Sequence, residues 1–161
     1  MKTLIFGGSR GIGSALVREF KEFGCEVIGL SSADVDTSDL DAMKMLAKSV
    51  GRLDVVILNT GGPPPKNTVD IEVNDWEKYH RQLFLGFALF LTDVKLNDSA
   101  YVIQISSSLI KSPFEPMVLS AVYRNALWTL LKSMTAEFSN RQISTLNIAP
   151  GPILTERLAA L

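Results

Sequence analysis

A glycine-rich loop near the start of the chain is the first group of residues that could do chemistry. The loop, Gly7–Gly13, follows the apolar run Thr3–Phe6 and opens a helix-like stretch, Ile12–Phe23. In this order of strand, loop and helix, backbone N–H groups and a helix N-terminus face an anion such as a pyrophosphate. The spacing G-x-x-x-G-x-G therefore predicts a phosphate-binding loop. A tight turn that needs glycine dihedral angles is the alternative explanation.

The loop after the second predicted strand bears on which nucleotide would bind. An acidic residue at this point would hold a ribose 2′-hydroxyl and indicate NAD, but the chain has Ser31 and Ser32 there. Arg10, in the first loop, is a candidate partner for a 2′-phosphate, because arginine binds phosphate with two parallel hydrogen bonds. We therefore favour NADP and keep NAD as the alternative. A solvated Arg10 at the surface is the competing interpretation.

Both loops need a scaffold of strands and helices to position them. Short apolar, β-branched runs predict strands at Leu4–Phe6, Val27–Leu30, Val55–Leu58, Tyr101–Ile105 and Thr145–Ile148. Longer stretches between them predict helices at Ile12–Phe23, Leu40–Val50, Trp76–Val94 and Ala121–Phe138. Uniformly apolar strands are typical of a parallel sheet covered on both faces. The alternation predicts an α/β fold, a Rossmann-like doubly wound parallel sheet in a three-layer α/β/α arrangement, formed by a single domain over residues 1–161.

Composition excludes several classes of function. The formal net charge is −1, so nothing in the sequence favours a nucleic acid or an anionic membrane as a partner. Cys25 is the sole cysteine, which rules out an internal disulfide and is compatible with a reducing compartment. The longest apolar stretch, Leu83–Leu91, is shorter than the roughly 20 residues that span a bilayer. We expect a soluble cytoplasmic protein that binds no metal ion, nucleic acid or membrane.

Further loops at the predicted carboxyl ends of strands complete an ordered set of motifs. Asn59–Gly62 follows the third predicted strand and Pro150–Thr155 follows the fifth. The carboxyl ends of the strands are where doubly wound sheets bind their ligands. With the glycine loop, Asp34-Val35 after the second strand and Ile105–Ser108 at the end of the fourth, these motifs resemble those of the short-chain dehydrogenase/reductase family. The resemblance covers almost the whole chain.

The resemblance implies how a dinucleotide would be held. In that family the first loop cradles the pyrophosphate and the Asp-Val pair flanks the adenine. The Asn-x-x-Gly loop lines the ribose, and the Pro-Gly segment contacts the nicotinamide. With the two serines of the second loop and Arg124 included, the predicted cofactor-binding residues are Gly7, Ser9, Arg10, Gly11, Ile12, Gly13, Ser31, Ser32, Asp34, Val35, Asn59, Thr60, Gly61, Arg124, Pro150, Gly151, Ile153 and Thr155.

The acid/base residues of the family are altered in this chain. The resemblance implies a catalytic serine at Ser107, followed in the family by a tyrosine whose pKa is lowered by a lysine four residues further on. The tyrosine position falls on Ser120 and the lysine position on Arg124, while a helix asparagine of the family falls on Leu83. A serine hydroxyl is a far weaker acid than a phenol, and arginine does not release a proton. Ser107 is therefore the one catalytic residue that we predict, and we expect Arg124 to hold a ribose hydroxyl or an anionic group.

Two other side chains could take the place of the missing acid. Tyr123 lies three positions after Ser120, and residues at that spacing share a helix face. His80 lies three positions before Leu83 and could approach the cleft by the same spacing. The alternatives are a packed aromatic ring for Tyr123 and a surface or interface residue for His80.

The helices predicted at Trp76–Val94 and Ala121–Phe138 are apolar around much of their circumference. Large exposed apolar surfaces are rare on monomers, and the resemblance implies that these helices pair with their two-fold mates in a four-helix bundle. We expect a homodimer or homotetramer, with ordinary core helices as the alternative. The chain also ends soon after Pro150–Thr155, whereas the family continues through a helix that covers the substrate. A domain shortened at its C-terminus predicts an open active site, and the alternative is a sequence that omits a C-terminal tail.

Two hypotheses for function remain open. The first is an NADP-preferring oxidoreductase that transfers a hydride between NADP(H) and an alcohol or carbonyl substrate at an atypical active site. In that case Leu109–Ile110 and Pro113–Phe114 are expected to form an apolar wall. The second is a catalytically silent NAD(P)-binding sensor or scaffold. The altered acid/base pair favours the second hypothesis, whereas Ser107 and Pro150–Thr155 favour the first.

Overall fold

The computed structural model describes residues 1–155, and these form a parallel sheet flanked by helices. The strands are β1 (Lys2–Phe6), β2 (Glu26–Leu30), β3 (Arg52–Leu58), β4 (Lys95–Ile105) and β5 (Ser144–Ile148). Their spatial order is β2-β1-β3-β4-β5, and every neighbouring pair is parallel. The chain thus forms β2 on one side of β1 and then crosses back to form β3, β4 and β5 on the other side. The predicted doubly wound, Rossmann-like sheet is confirmed.

The helices occupy the predicted places with shifted ends. They are α1 (Gly11–Glu22), α2 (Leu40–Ser49), α3 (Val73–His80), α4 (Gly86–Asp93) and α5 (Val118–Ser139). Short 3₁₀ turns at Thr68–Asp70 and Ser108–Ile110 lie in the connections. None of the helices in the described part of the chain is long and apolar enough to cross a membrane.

The helices form two layers, one on each face of the sheet. Side chains of α2, α4 and α5, such as Met43, Phe87 and Leu131, share a buried cluster with Leu4 and Val56 of the strands. On the opposite face, α1 packs on a second cluster around Ile5 and Ile57. The three-layer arrangement follows from right-handed crossovers in a sheet that is extended in both directions from β1.

The opposite face is only partly covered in the described residues. α1 lies over β1 and β3, whereas Tyr101 of β4 and Leu146 and Ile148 of β5 stay 45%, 44% and 51% exposed. The register pairs Tyr101 with Val55, Leu146 with Ile103 and Ile148 with Ile105, so these side chains belong to one face of the sheet.

Strand β4 begins six residues earlier than its apolar run. Lys95 and Leu96 pair with the start of β3, and the register then shifts before Tyr101 resumes the pairing. Residues Asn97, Asp98 and Ser99 in this interval are polar, and Ser99 has a φ of 62°. Sequence periodicity predicted only the part after this bulge, since a bulge interrupts the alternation that marks a strand.

The helix predicted over Trp76–Val94 begins at Val73 and contains a π-helical segment, Arg81–Leu85, between α3 and α4. This segment is in close contact with the loop that precedes α2. A Cβ added at Gly86 would lie 1.9 Å from the carbonyl oxygen of Thr37, and the Thr37 hydroxyl donates to the carbonyl of Gln82 at 2.9 Å. Such a local distortion depends on a distant part of the chain, so helical periodicity does not predict it.

Candidate nucleotide-binding cleft

A cleft of about 870 Å³ opens at the carboxyl ends of the strands. Its lining comes from the loops after all the strands, and its centre is the point where the order of the strands reverses, between β1 and β3. The carboxyl ends of strands at such a reversal are the usual ligand site of doubly wound sheets. The cleft brings together most of the residues that the sequence predicted, although they are far apart along the chain.

The glycine loop forms one wall of this cleft in a conformation that needs glycine. Gly7 and Gly11 have positive φ angles of 63° and 52°. A Cβ added at Gly13 would lie 1.9 Å from the Gly7 carbonyl oxygen, so the start of α1 packs directly on the loop. Arg10, the residue before α1, makes no side-chain hydrogen bond to the helix, and the first turn holds no acidic residue. The partial positive charge at this N-terminus is therefore directed at the cleft without a capping anion.

Asn59, just after β3, connects two of the strands. Its Nδ2 donates to the carbonyl oxygens of Phe6 at 3.2 Å and Gly7 at 3.3 Å. The side chain is therefore held against the backbone of the glycine loop. Asn59, Thr60 and Gly61 all line the cleft.

The loop after β2 is organised by Asp34. Its carboxylate accepts hydrogen bonds from the Ser31 hydroxyl at 2.6 Å and from the Ser31 backbone N–H at 2.8 Å. These two hydrogen bonds to Ser31 hold the pKa of Asp34 below its ordinary value. Ser31, Ser32 and Val35 line the cleft, whereas Asp34 lies outside its lining and shapes the loop. Neighbouring Thr37 also lines the cleft, and sequence reasoning missed it because nothing local marks a threonine in a polar loop.

The far end of the cleft holds Ser107, Ser120 and Arg124. Ser107 is half-buried, and its Oγ accepts a hydrogen bond from the N–H of Leu109 at 3.3 Å. Ser120 is 4% exposed and accepts a hydrogen bond from Nε of Arg124 at 3.2 Å. The guanidinium of Arg124 also donates through Nη1 to the Ile105 carbonyl and through Nη2 to the Thr60 carbonyl, both at 3.0 Å. The two residues predicted to stand at the family's tyrosine and lysine positions, Ser120 and Arg124, are therefore joined in one hydrogen-bonded network.

Tyr123 and His80 point away from this network. The Tyr123 hydroxyl donates to the carbonyl of Trp76 at 2.9 Å, and burial raises the pKa of Tyr123. The His80 ring stacks on Phe84 with the ring centroids 5.6 Å apart. Neither residue lines the cleft, so the structure favours the packing interpretation for both. Leu83 is 1% exposed and packs in a separate apolar cluster.

The titratable side chains that line the cleft, among residues 1–155, are Arg10, Asp36 and Arg124. Asp36 accepts hydrogen bonds from the N–H and the hydroxyl of Ser38. Within the described residues, the lining contains no histidine, cysteine, lysine or tyrosine side chain. Proton transfer to a substrate at this end of the cleft would thus rely on serine hydroxyls or water.

The remaining walls come from the segment after β5 and from the loop before α5. Pro150, Gly151, Ile153 and Thr155 all line the cleft, as the sequence predicted. The Thr155 methyl group lies 3.4 Å from the place of a Cβ on Gly11, so the segment reaches the start of α1. Between β4 and α5, the apolar residues on the lining are Leu109, Phe114, Pro116 and Met117, whereas Ile110 and Pro113 lie outside it.

The residues described by the structure contain no group of three or more His, Cys, Asp and Glu side chains that could hold a metal ion. What they do hold is a glycine cradle at a strand-order reversal, next to the open N-terminus of a helix. This combination defines a dinucleotide-binding α/β domain.

A comparison with protein families identifies the particular family. The family model described as short chain dehydrogenase matches residues 32–161, which is most of the chain. The chain therefore belongs to the short-chain dehydrogenase family, as its motifs predicted.

Curated relatives in this family are distant in sequence. The chain is 24% identical over 173 residues to the cyclic-di-GMP-binding biofilm dispersal mediator protein of Escherichia coli (strain K12), covering 95% of this chain and 73% of that protein. It is 25% identical over 186 residues to a glucose 1-dehydrogenase of Gluconobacter oxydans (strain 621H), covering 96% of this chain and 70% of that protein. The relatives thus include both a dehydrogenase and a protein named for nucleotide binding.

The fold is also found in solved structures. The crystal structure of BdcA in complex with NADPH aligns with a TM-score of 0.87 at 22% identity, covering 96% of this chain and 72% of that chain. A short-chain dehydrogenase/reductase from Serratia marcescens aligns with the same TM-score and identity, covering 97% of this chain and 76% of that one. These alignments support the architecture described above.

Proposed function

We propose that this protein is an NADP-preferring oxidoreductase that transfers a hydride between NADP(H) and an alcohol or carbonyl substrate. The observation that carries the proposal is the uncapped N-terminus of α1, which lies against the glycine cradle and beside exposed Arg10. Backbone N–H groups and the helix dipole there would hold the pyrophosphate. Membership of a family whose relatives include a glucose 1-dehydrogenase supports the reaction class.

The residues of the cleft fit an NADP molecule. The place that a Cβ would fill at Gly13 is blocked by the loop backbone, so the cradle depends on glycine. Ser32 and Arg10 lie on the lining at the end where a 2′-phosphate would be recognised, and no carboxylate replaces them at the tip of β2. When bound, NADPH would supply the hydride. The BdcA structure, which holds NADPH, supports the choice of this nucleotide.

Within the cleft, Ser107 is the residue that we propose to contact the substrate. Its hydroxyl lies at the end of β4 and can donate a hydrogen bond to a carbonyl oxygen. Nearby Arg124 supplies a fixed positive charge that would stabilise negative charge on that oxygen. The proton would then come from water, because neither Ser120 nor Arg124 is a suitable acid.

A nucleotide-binding sensor without catalysis is the second candidate. It is favoured by the pairing of Ser120 with Arg124, which occupies the place of the family's acid/base pair. A relative named for binding cyclic di-GMP supports the same alternative. In that case the cleft would recognise a nucleotide, and occupancy itself would be the signal.

The first experiment is a titration of the purified protein with NADPH, NADH and cyclic di-GMP, followed by a panel of aldehydes and ketones. The oxidoreductase proposal predicts that NADPH binds more tightly than NADH. It also predicts turnover that Ser107→Ala lowers and Ser112→Ala, a control in the exposed loop that follows, leaves unchanged. NADPH binding without turnover on any substrate would favour the sensor. Binding of none of the nucleotides would refute both candidates.

The nucleotide preference has a separate test in Arg10. Loss of one charge-assisted contact to a phosphate is expected to weaken NADPH binding by about tenfold or more, because hydrogen bonds to charged groups contribute about 1.5–3 kcal/mol. NADH binding should change little in Arg10→Ala. Arg18→Ala is the matched control, since Arg18 lies on the exposed side of α1 in ion pairs with Glu19 and Glu22.

We further propose that the protein is a single cytoplasmic NAD(P)-binding domain that forms a homodimer or homotetramer through the helical layer of α4 and α5. Val122 of α5 is 44% exposed on this layer. Val122→Glu should lower the molecular mass measured by light scattering, whereas Met45→Glu, at an exposed apolar position on α2, should not. A mass that is unchanged in Val122→Glu would argue against this interface.

A further inference from the structure

Arg124 makes contacts that differ from those of a residue that simply faces a ligand. Its three guanidinium nitrogens donate to Ser120 within its own helix, to Ile105 at the end of β4, and to Thr60 in the loop after β3. One side chain on α5 therefore joins the carboxyl ends of two neighbouring strands. The two strand-end acceptors are backbone carbonyl oxygens at 3.0 Å.

The backbone pairing between β3 and β4 does not extend to the carbonyls of Thr60 and Ile105. The last register pair between β3 and β4 joins Leu58 to Gln104, and the pairing of these two strands ends there. Thr60 and Ile105 lie just past this pair. Backbone carbonyls in a partly buried region need donors, and Arg124 supplies them where the ladder no longer does.

The backbone carbonyl of Arg124 accepts a hydrogen bond from the strand beneath the helix. Nε2 of Gln104 donates to the Arg124 carbonyl at 2.8 Å, and Gln104 is 1% exposed. Gln104 belongs to β4, so this strand donates a hydrogen bond to the backbone of Arg124. The side chain of Arg124 in turn donates a hydrogen bond to Ile105 of the same strand. These two hydrogen bonds between α5 and β4 fix the position of the Arg124 guanidinium relative to the sheet.

Both bridged segments carry residues that line the cleft. Asn59 and Gly61 flank Thr60, while Ser106 and Ser107 follow Ile105, and all of these residues line the cleft. The guanidinium therefore joins two neighbouring parts of the lining through one hydrogen bond to each. The planar, forked guanidinium of an arginine can donate hydrogen bonds to two carbonyl oxygens at once, whereas the ammonium of a lysine is a compact point charge.

We propose that Arg124 is a positioning residue for the nucleotide: its guanidinium holds the Thr60 loop and the Ser107 segment at the separation that NADP(H) binding requires. The proposal rests on the proposed function, because it assumes that the cleft binds NADP(H). It assigns Arg124 a role in affinity through the protein backbone, separate from any direct contact with a ribose hydroxyl.

Arg124→Lys is the discriminating variant, since it keeps the charge and removes the fork. The dissociation constant for NADPH, measured by nicotinamide fluorescence, should rise by about tenfold, the effect expected for the loss of one charge-assisted hydrogen bond. Adding methylguanidinium to an Arg124→Ala variant should recover part of the affinity, which a general loss of stability would not allow. Arg18→Lys is the control and should bind NADPH as the wild type does.

Gln104→Met provides a second variant in case Arg124→Lys does not fold. It keeps the buried volume and removes the donor to the Arg124 carbonyl, so the dissociation constant should rise by about threefold or more. An unchanged dissociation constant in whichever of the two variants folds would overturn the proposal. A wild type that fails to bind NADPH would instead refute the proposed function, so the two failures are distinguishable.

Discussion

The substitution Gly13→Ala tests the packing of the nucleotide cradle without any ligand. Gly13 is buried in the first turn of α1. Its added Cβ would lie 1.9 Å from the Gly7 carbonyl oxygen, 2.7 Å from the Gly7 carbonyl carbon and 2.9 Å from Nδ2 of Asn59. Two of these atoms belong to the backbone, and the Asn59 amide holds that backbone in place. The start of α1 must therefore move away from the loop.

The size of the effect follows from two opposing contributions. Overpacking of this kind costs about 3 kcal/mol at the upper end of its usual range. Replacing glycine by alanine inside a helix stabilises the helix by about 1 kcal/mol. We therefore expect Gly13→Ala to lower the free energy of unfolding by about 2 kcal/mol, which corresponds to about 6 °C in Tm for a chain of this length.

The measurement is urea unfolding of the protein without nucleotide, followed by tryptophan fluorescence. Gly61→Ala is the matched control, because a Cβ at Gly61 would meet no atom within 4 Å. The free energy of unfolding of Gly61→Ala should stay the same or rise slightly, because alanine lowers the conformational entropy of the unfolded chain. Equal stability of Gly13→Ala and the wild type would refute the close contact between α1 and the glycine loop.

Three further substitutions probe contacts around the sheet and the cleft. Asn59→Ala removes the donor to the backbone of Gly7 and should lower the free energy of unfolding by about 1.5 kcal/mol, measured by urea unfolding; no loss would show that the tie does not stabilise the loop. Hydrogen bonds from Asn97 and from the N–H of Lys2 hold the pKa of Asp54 below its ordinary value of 3.8. The folded state therefore gains stability from the Asp54 carboxylate above pH 3.8 and loses it as the pH falls through the lower folded pKa. In urea unfolding at pH 6 and pH 3, Asp54→Asn should be less stable than the wild type at pH 6, and the difference should shrink at pH 3; a difference independent of pH would contradict this account. Tyr123→Phe should lower stability by about 1 kcal/mol through its lost hydrogen bond and leave the NADPH dissociation constant unchanged, and weaker NADPH binding would place Tyr123 in the site after all.

The fold could be predicted from the sequence because its strands are simple to recognise. Runs such as Val55–Leu58 are apolar on both faces, which indicates a parallel sheet buried by two layers of helices. Glycines after β1 and prolines after β3 and β5 mark the loops at the carboxyl ends. The start of β4 at Lys95 and the π-helical segment at Arg81–Leu85 were not predicted, since both depend on pairing or packing with distant residues.

The position of the candidate site was also determined by the sequence. Loops at the carboxyl ends of parallel strands must meet at one edge of the sheet, so residues as distant as Ser9 and Thr155 line the same cleft. The spacing of the motifs also predicted that Ser120 and Arg124 stand where the family has its tyrosine and lysine.

Only the tertiary structure decided what the individual side chains do. Helical spacing allowed Tyr123 to share a face with Ser120, but its hydroxyl turns to Trp76 because packing against α3 offers an acceptor there. Asp34 turns back to Ser31, and Arg124 bonds to the carbonyls of two strand ends. Sequence patterns state which face of an element a residue occupies. Its hydrogen-bond partners are set by the neighbouring backbone that folding brings within reach, and that information is absent from any local pattern.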